Sequence, residues 1–392
     1  MSIGTRALRS AGATTIALAT VCTLTLGTAG SAAADTDPSA TVAVDLPLPP
    51  GAVSSYPAGL NDSGVVVGYG TDANYRMFPV RWNADLSAAA LPLVAGDTSG
   101  YALGISNEGS SIGFSGNHPV RWAADGTVTT LQSLPGDTPN SGYPRAISST
   151  GTVVGESYNG AYHAAKWGPD GKAVPLAALS GDTNTYALSI NSSGTVAGLS
   201  FAVDGTFHPV KWGPDGIPVA LDPASAYRSV WIVRINDAGT VLARATPTGA
   251  ANDQWRSLTW NTNGTVTDFG RYSTAQAINA SGTVVGRRTG ADGADYTATS
   301  WSPDGTATTL GADFDYTVAA AVNDAGVSVG HTGTKVPNAQ ERYALRWEAD
   351  GSQTELNVAP ADSYSYALFV NNASVVVGVR AGSANRAVIW RP

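Results

Sequence analysis

Cysteine is almost missing: Cys22 is the only one in 392 residues. It sits in a leading segment in which Arg6 and Arg9 precede an apolar Ala/Thr/Leu-rich run from Ala11 to about Gly27, followed by the small residues Ser31-Ala32-Ala33-Ala34. That pattern reads as a secretory signal peptide over residues 1–34, with a short linker over 35–40 and one domain over 41–392. The Ala-Thr-Val before Cys22 is a poor match to a lipoprotein processing site. The mature chain then has no thiol, so packing alone must stabilise it, which excludes a disulfide scaffold. Charge is scarce as well: Asp, Glu, Lys and Arg make up 13% of residues, roughly half the usual share. Without Arg6 and Arg9 the balance is 20 basic against 30 acidic residues, a formal charge of −10, which argues against nucleic acid or an anionic membrane surface as a partner. No apolar run after the leader is long enough to span a bilayer, and no helical period survives in the mature chain. The expectation is a secreted, monomeric protein, off the membrane once the leader is cut.

What fills the gap is Gly, Thr, Ser, Ala and Val, arranged in a repeated phrase. Leu60-Asn61-Asp62-Ser63-Gly64-Val65-Val66-Val67-Gly68 closes on Trp82, and the phrase returns before Trp122, Trp167, Trp212, Trp260, Trp301, Trp347 and Trp390. Trp82 to Trp390 is 308 residues over seven intervals, a mean period of 44. Such a period means an array of one supersecondary unit. In the unit from Tyr186 to Leu221, Tyr186–Ile190 alternates as a strand, and Asn191-Ser192-Ser193-Gly194 turns into a second strand, Thr195–Leu199. His208–Trp212 is a third strand, and Gly213-Pro214-Asp215-Gly216 turns into a fourth, Ile217–Leu221. Four short antiparallel strands are one propeller blade. The last repeat stops after its third strand, while Thr41–Leu46 precedes the first repeat as an orphan strand. Pairing the two predicts an all-β, eight-bladed β-propeller closed by its N-terminal strand. A seven-bladed ring with a loose unit and an open solenoid are the alternatives. The regular Trp reads as core filling between blades.

The chain resembles the extracellular HAF-repeat family. The resemblance rests on the Ile-Asn-x-x-Gly element at Ile235-Asn236-Asp237-Ala238-Gly239 and Ile278-Asn279-Ala280-Ser281-Gly282, and on His163-Ala164-Ala165-Lys166-Trp167 with its variants from His118 and His208. Phe is absent from the triplet, and Phe78, Arg256, Thr297, Tyr343 and Arg386 replace His elsewhere. The resemblance implies a secreted repeat protein; the family has no agreed activity, so it assigns no catalytic residues.

Chemistry is thinly signalled. His118, His163 and His208 share one repeat position, too far apart on successive blades for one metal shell, and read as strand residues packing beside Trp. No His-Glu-x-x-His or Gly-x-Ser-x-Gly occurs. Asp97, Asp137 and Asp182 in repeated Gly-Asp-Thr loops, and Asp292, Asp295, Asp313 and Asp315 later, read as turn formers rather than calcium ligands. No metal and no cofactor is expected. The most suggestive set stands five residues before the Asn position: Tyr56, Tyr101, Tyr143, Tyr186, Trp231 and Tyr366, broken by Thr274 and Val318. Positions five, three and one before Asn would share a strand face, and the first strand would begin at the mouth of the central channel. These aromatics, with Arg145 and Arg234, then form a candidate rim for an extracellular glycan or protein; packing on the next blade is the competing explanation. A secreted polysaccharide hydrolase or lyase using Tyr, Arg and His is the alternative to a binding module.

Overall fold

The computed structural model describes residues 43–251, 254–290, 296–311, 316–333, 342–357 and 364–392. The leader, Thr41 and Val42, the aspartates 292, 295, 313 and 315, and parts of the loops over 246–254 and 332–341 lie outside the described residues.

Strands dominate, with one 3-10 turn at Ala224–Ala226. They form four-stranded antiparallel units, six as separate sheets and two joined into one eight-stranded sheet by a parallel pairing of Tyr296 with Tyr316. First strands are Ser54–Leu60, Gly100–Ile105, Tyr143–Ile147, Asp182–Ile190, Tyr227–Ile235, Ser273–Ile278, Tyr316–Val322 and Tyr364–Val370. Second strands are Val66–Thr71, Ser111–Ser115, Val153–Tyr158, Val196–Ala202, Val241–Pro247, Val284–Thr289, Ser328–Gly333 and Val376–Ala381. Third strands are Met77–Trp82, His118–Trp122, Tyr162–Trp167, Phe207–Trp212, Arg256–Trp260, Tyr296–Trp301, Ala344–Trp347 and Arg386–Trp390. Most fourth strands are short, as in Ala88–Ala90 and Val128–Thr130, Val266–Arg271 being the exception, and the last unit takes its fourth strand from the N-terminal side, Val44–Asp45. Val44 pairs with Ile389 and Asp45 with Val388, as the orphan-strand reading requires.

Each third-strand Trp is at most 2% exposed and packs on the unit before its own. Trp122 lies with Val67 and Leu91, Trp167 with Ile112 and Leu131, and Trp212 with Val154 and Leu176. Trp82, in the first unit, packs on Leu46, Val377, Ala387 and Ile389 of the last. Six of these eight indole N–H groups are satisfied in the same way; that of Trp347 bonds to Gln353 of its own unit, and that of Trp301 has no partner among the described residues. Trp82, Trp122, Trp167 and Trp212 donate at 2.7 Å to the carbonyls of Pro47, Pro92, Gln132 and Ala177, each just beyond the preceding fourth strand. Burial of a ring this size is worth several kcal/mol, so the cores between units carry most of the stability.

The Asn of the repeated phrase also acts between units. Asn279 Oδ1 accepts from the backbone of Thr283 at 2.8 Å, closing its own turn, while Nδ2 donates to the carbonyl of Asn323 in the next unit at 3.0 Å. Asn191 reaches Asn236, Asn236 reaches Asn279, Asn323 reaches Asn371, and Asn371 reaches Asn61. Ser106 and Ser148 stand at the equivalent place in two units; their hydroxyls close the local turn but are too short to bridge.

All the first strands share a β-bulge, at Ala58, Leu103, Arg145, Leu188, Val233, Gln276, Ala320 and Leu368. The bulge corrects the expectation that positions five, three and one before Asn share a face. Leu60 pairs with Val66 but Tyr56 pairs with Tyr69, three residues on, so Leu60 and Tyr56 lie on opposite faces. It also accounts for the closing Gly of the phrase. A Cβ at Gly68, Gly113 or Gly155 would collide with the carbonyl oxygen of Tyr56, Tyr101 or Tyr143. The fifth unit carries Ala243 there in the same register.

The bridging role of Asn yields a graded test. Asn279→Ser, which keeps the local bond, should cost about 1 kcal/mol, and Asn279→Ala, which orphans both ends, about 2–3 kcal/mol. Chemical denaturation of both variants measures this, and an Asn279→Ser variant as stable as the parent would assign the residue to its turn alone.

Candidate functional site

The first strands of successive units touch one another, that of the last unit touching that of the first. The fourth strands instead present exposed side chains, as at Ala88–Ala90 and Ala307–Thr309. The candidate aromatics therefore stand on the innermost strands, and each is half-buried.

Their partners come from a position that the sequence reading passed over, the residue after the closing Gly of the phrase. Tyr56 is opposite Tyr69, Tyr101 opposite Phe114, Tyr143 opposite Glu156, Tyr186 opposite Leu199, Trp231 opposite Arg244, and Tyr366 opposite Val379. Where Thr274 and Val318 break the aromatic series, the opposite residues are Arg287 and His331. This second set stands at one fixed place in the repeated phrase and holds a different residue type in almost every unit.

Together the two sets make a strip. Tyr56 stacks on Tyr69 at 5.1 Å, Tyr69 meets Tyr101 at 6.4 Å, Tyr101 meets Phe114 at 5.4 Å, and Phe114 meets Tyr143 at 5.1 Å. Tyr158, Tyr162, Tyr186 and Phe201 continue it with ring separations of 4.9, 4.9 and 5.5 Å. The Tyr69–Tyr101, Phe114–Tyr143 and Tyr162–Tyr186 contacts run between units, so the rings also serve packing. Burial, with neighbouring Tyr143 and Tyr69, pushes the Tyr101 hydroxyl up to about 12, and burial likewise raises Tyr186. Asn385 donates to the Tyr56 hydroxyl at 2.9 Å.

Arg145 has an acid as its partner. Its Nη2 lies 2.5 Å from Glu156 Oε1, its Nε 2.8 Å from the same oxygen, and its guanidinium carbon 4.2 Å from the centre of the Tyr143 ring. Burial pushes the Glu156 carboxyl up against the pull of Arg145; the Arg145 guanidinium, though desolvated, is held above its ordinary range by Glu156. Glu156 is 1% exposed. Arg234 differs: it has no carboxylate partner among the described residues, stays open to solvent, and is surrounded by enough protein that desolvation lowers its pKa.

Units five to seven carry cations at the position after the closing Gly. Arg244 donates to the Ala275 carbonyl at 3.1 and 2.8 Å and to Gln276 Oε1 at 3.0 Å. Desolvation lowers its pKa, and so does the charge of Arg287. Arg287 stacks over Tyr296 at 4.6 Å, and its buried Nε has no hydrogen-bond partner. His331 meets the Tyr366 ring edge-on at 5.6 Å, with Arg342 5.6 Å from the same ring, and its buried Nδ1 is also unpartnered. Desolvation, then the charges of Arg342 and Arg287, lower the His331 pKa to about 4.

The other three histidines bond to the loop aspartates, which corrects the reading that they only pack beside Trp. His118 Nδ1 is 2.9 Å from Asp97, and His163 and His208 are each 2.8 Å from Asp137 and Asp182. The Gly-Asp-Thr loops and the His triplets are thus two halves of one tie. The Ser115 hydroxyl, then His118, hold the Asp97 carboxyl below its ordinary range. No group of three or more His, Cys, Asp or Glu is placed to hold a metal among the described residues.

No protein-family model matches the chain, and no characterised protein matches it in sequence. Solved structures do. The Dos1 propeller is 10% identical, with 90% of this chain and 95% of that one covered and a TM-score of 0.54. A puromycin hydrolase S511A mutant complexed with PGG is 14% identical at a TM-score of 0.50, covering 84% of this chain and 59% of its own. A Mycobacterium tuberculosis puromycin-hydrolyzing peptidase is 12% identical at 0.50, covering 84% and 58%. The fold is a β-propeller. The chain spans less than two thirds of the length of the two hydrolases, and at these identities the likeness carries the propeller fold alone.

In this propeller a buried neutral His among arginines sets a pH response. With a folded pKa near 4 against 6.5 unfolded, the unfolded chain binds the extra proton between those values. Stability should therefore fall as pH drops from 6.5 towards 4, by up to about 3 kcal/mol. Denaturation midpoints across that range, compared with His331→Gln, measure it; an unchanged slope in the variant would assign the loss to other groups.

Proposed function

We propose that the chain is a secreted member of the HAF-repeat type whose eight units close into one propeller ring, and that it binds an extracellular glycan or protein at the face where the first strands begin. The carrying observation is the half-buried arc of Tyr56, Tyr101, Tyr143, Tyr186, Trp231 and Tyr366 on the innermost strands, interleaved with cations. Aromatic rings with one accessible face suit sugar stacking or side-chain capture. The Arg145–Glu156 pair acts as a support: each neutralises the other, and Glu156 is too buried to meet a ligand.

The polysaccharide hydrolase or lyase is the second reading, and one observation favours it. His331, neutral at pH 7, lies with Tyr366, Arg342 and Arg287, a grouping able to accept a proton beside a stabilised anion. Product release from a polysaccharide panel, measured alongside binding, separates the two.

Ring closure supports the reading through Trp82, Asn371 and the Val44–Asp45 strand, which join the first unit to the last. Deleting residues 35–50 strips that strand, buried Leu46 and the Asp45–Arg380 ion pair, and should lower the melting temperature by many degrees; deleting residues 35–39 should leave it unchanged. Equal melting temperatures for the two truncations would overturn closure by the N-terminal strand.

The function is tested by a glycan array and an extracellular-protein screen on the chain from residue 35. For a ligand so found, Trp231→Ala and Tyr186→Phe should weaken binding by about 1–3 kcal/mol with little change in melting temperature. Binding that survives both but is lost on Asp215→Asn or Asp304→Asn, at the tight turns, would put the site on the opposite face.

A further inference from the structure

The position after the closing Gly divides the inner face into two arcs. In the first, second, fourth and last units it holds Tyr69, Phe114, Leu199 and Val379. In the fifth to seventh it holds Arg244, Arg287 and His331. The third unit shows what a charge needs here: Glu156 and Arg145 face each other across adjacent strands at 2.5 Å. Among the described residues the cationic arc has no such internal answer. Arg234, Arg244, Arg287, His331 and Arg342 bond to no carboxylate among the described residues. Arg244 is held by a carbonyl and an amide, Arg287 by the face of Tyr296, and neither contact neutralises charge.

The accumulation is not a by-product of a basic protein, since the formal charge of the whole chain is −8. Like charges at adjacent, partly desolvated positions repel, and leaving Arg287 Nε and His331 Nδ1 without partners adds cost. Arrangements that cost stability without a structural return mark places where a ligand completes the balance.

We propose, on the reading that this face binds a ligand, that the ligand is an acidic polysaccharide, its carboxylates held by the Arg244–Arg287–His331 arc and its sugar rings lying along the aromatic strip from Tyr56 to Tyr186. The carboxylates would take the free guanidinium edges in charge-assisted hydrogen bonds. The neighbouring rings, continuous at spacings of 5.1 to 6.4 Å across the first three units, favour a stack of sugars over an acidic peptide.

The test uses an oligogalacturonate, the same oligosaccharide with its carboxyls reduced to alcohols, and poly-glutamate, with binding followed by calorimetry at low and high salt. The oligogalacturonate should bind roughly tenfold or more tighter than its reduced form, and salt should erode the difference. Arg287→Gln should abolish the preference, and Arg287→Lys, which keeps the charge, should retain part of it with the melting temperature as a check on folding. Equal affinity for both oligosaccharides would overturn the anionic class while leaving binding at this face intact. Binding of poly-glutamate alone would overturn the polysaccharide. Binding of none of the three would overturn the proposal, and the array result then judges the binding reading by itself.

Discussion

No unit of this protein has a core of its own. Each sheet presents an apolar face that the Trp of the next unit covers, and every such Trp but Trp301 and Trp347 finds a hydrogen-bond acceptor just past the preceding fourth strand. A unit at either end of an open row would leave one such face bare, at a cost of several kcal/mol. The packing of Trp82 on Leu46 and Ile389 is therefore the contact on which the others depend. It also explains why an acidic chain with few charges can be stable: the same burial recurs between neighbouring units.

The inner strands obey a second constraint. The bulge in each first strand brings its carbonyl so close to the second strand that only Gly fits opposite in all units but one. The residue after that Gly is thereby pinned beside the start of the first strand, facing the next unit. Tyr69 meets Tyr101, Phe114 meets Tyr143, and His331 meets Tyr366 in the same way. A single backbone irregularity thus builds a rim whose side chains can vary without disturbing the sheets.

Much of the architecture was legible in the sequence because it is carried by residues with few alternatives. Trp at a mean spacing of 44, Gly at tight turns, and Asn at the strand end each admit little substitution. The orphan strand was legible for the same reason: the last repeat lacked a fourth strand. The candidate site was half legible. Tyr143, Arg145 and Tyr186 do come together, but Glu156, which answers Arg145, was not foreseen, because the bulge breaks the alternation that places side chains on faces. The His–Asp ties were missed because their members stand 21 to 26 residues apart and only the loop geometry joins them.

The contrast between Arg145 and Arg287 separates structure from function on this face. Both sit on inner strands beside a tyrosine ring, at 4.2 and 4.6 Å. Arg145 is matched by a buried carboxylate, so removing it would leave Glu156 charged and unpaired, and its loss would be felt as instability. Arg287 is matched by nothing ionic among the described residues, so its removal would relieve repulsion with Arg244 and His331. Among the described residues nothing ionic offsets that repulsion, and a bound anion at the start of the first strands, as proposed, would do so.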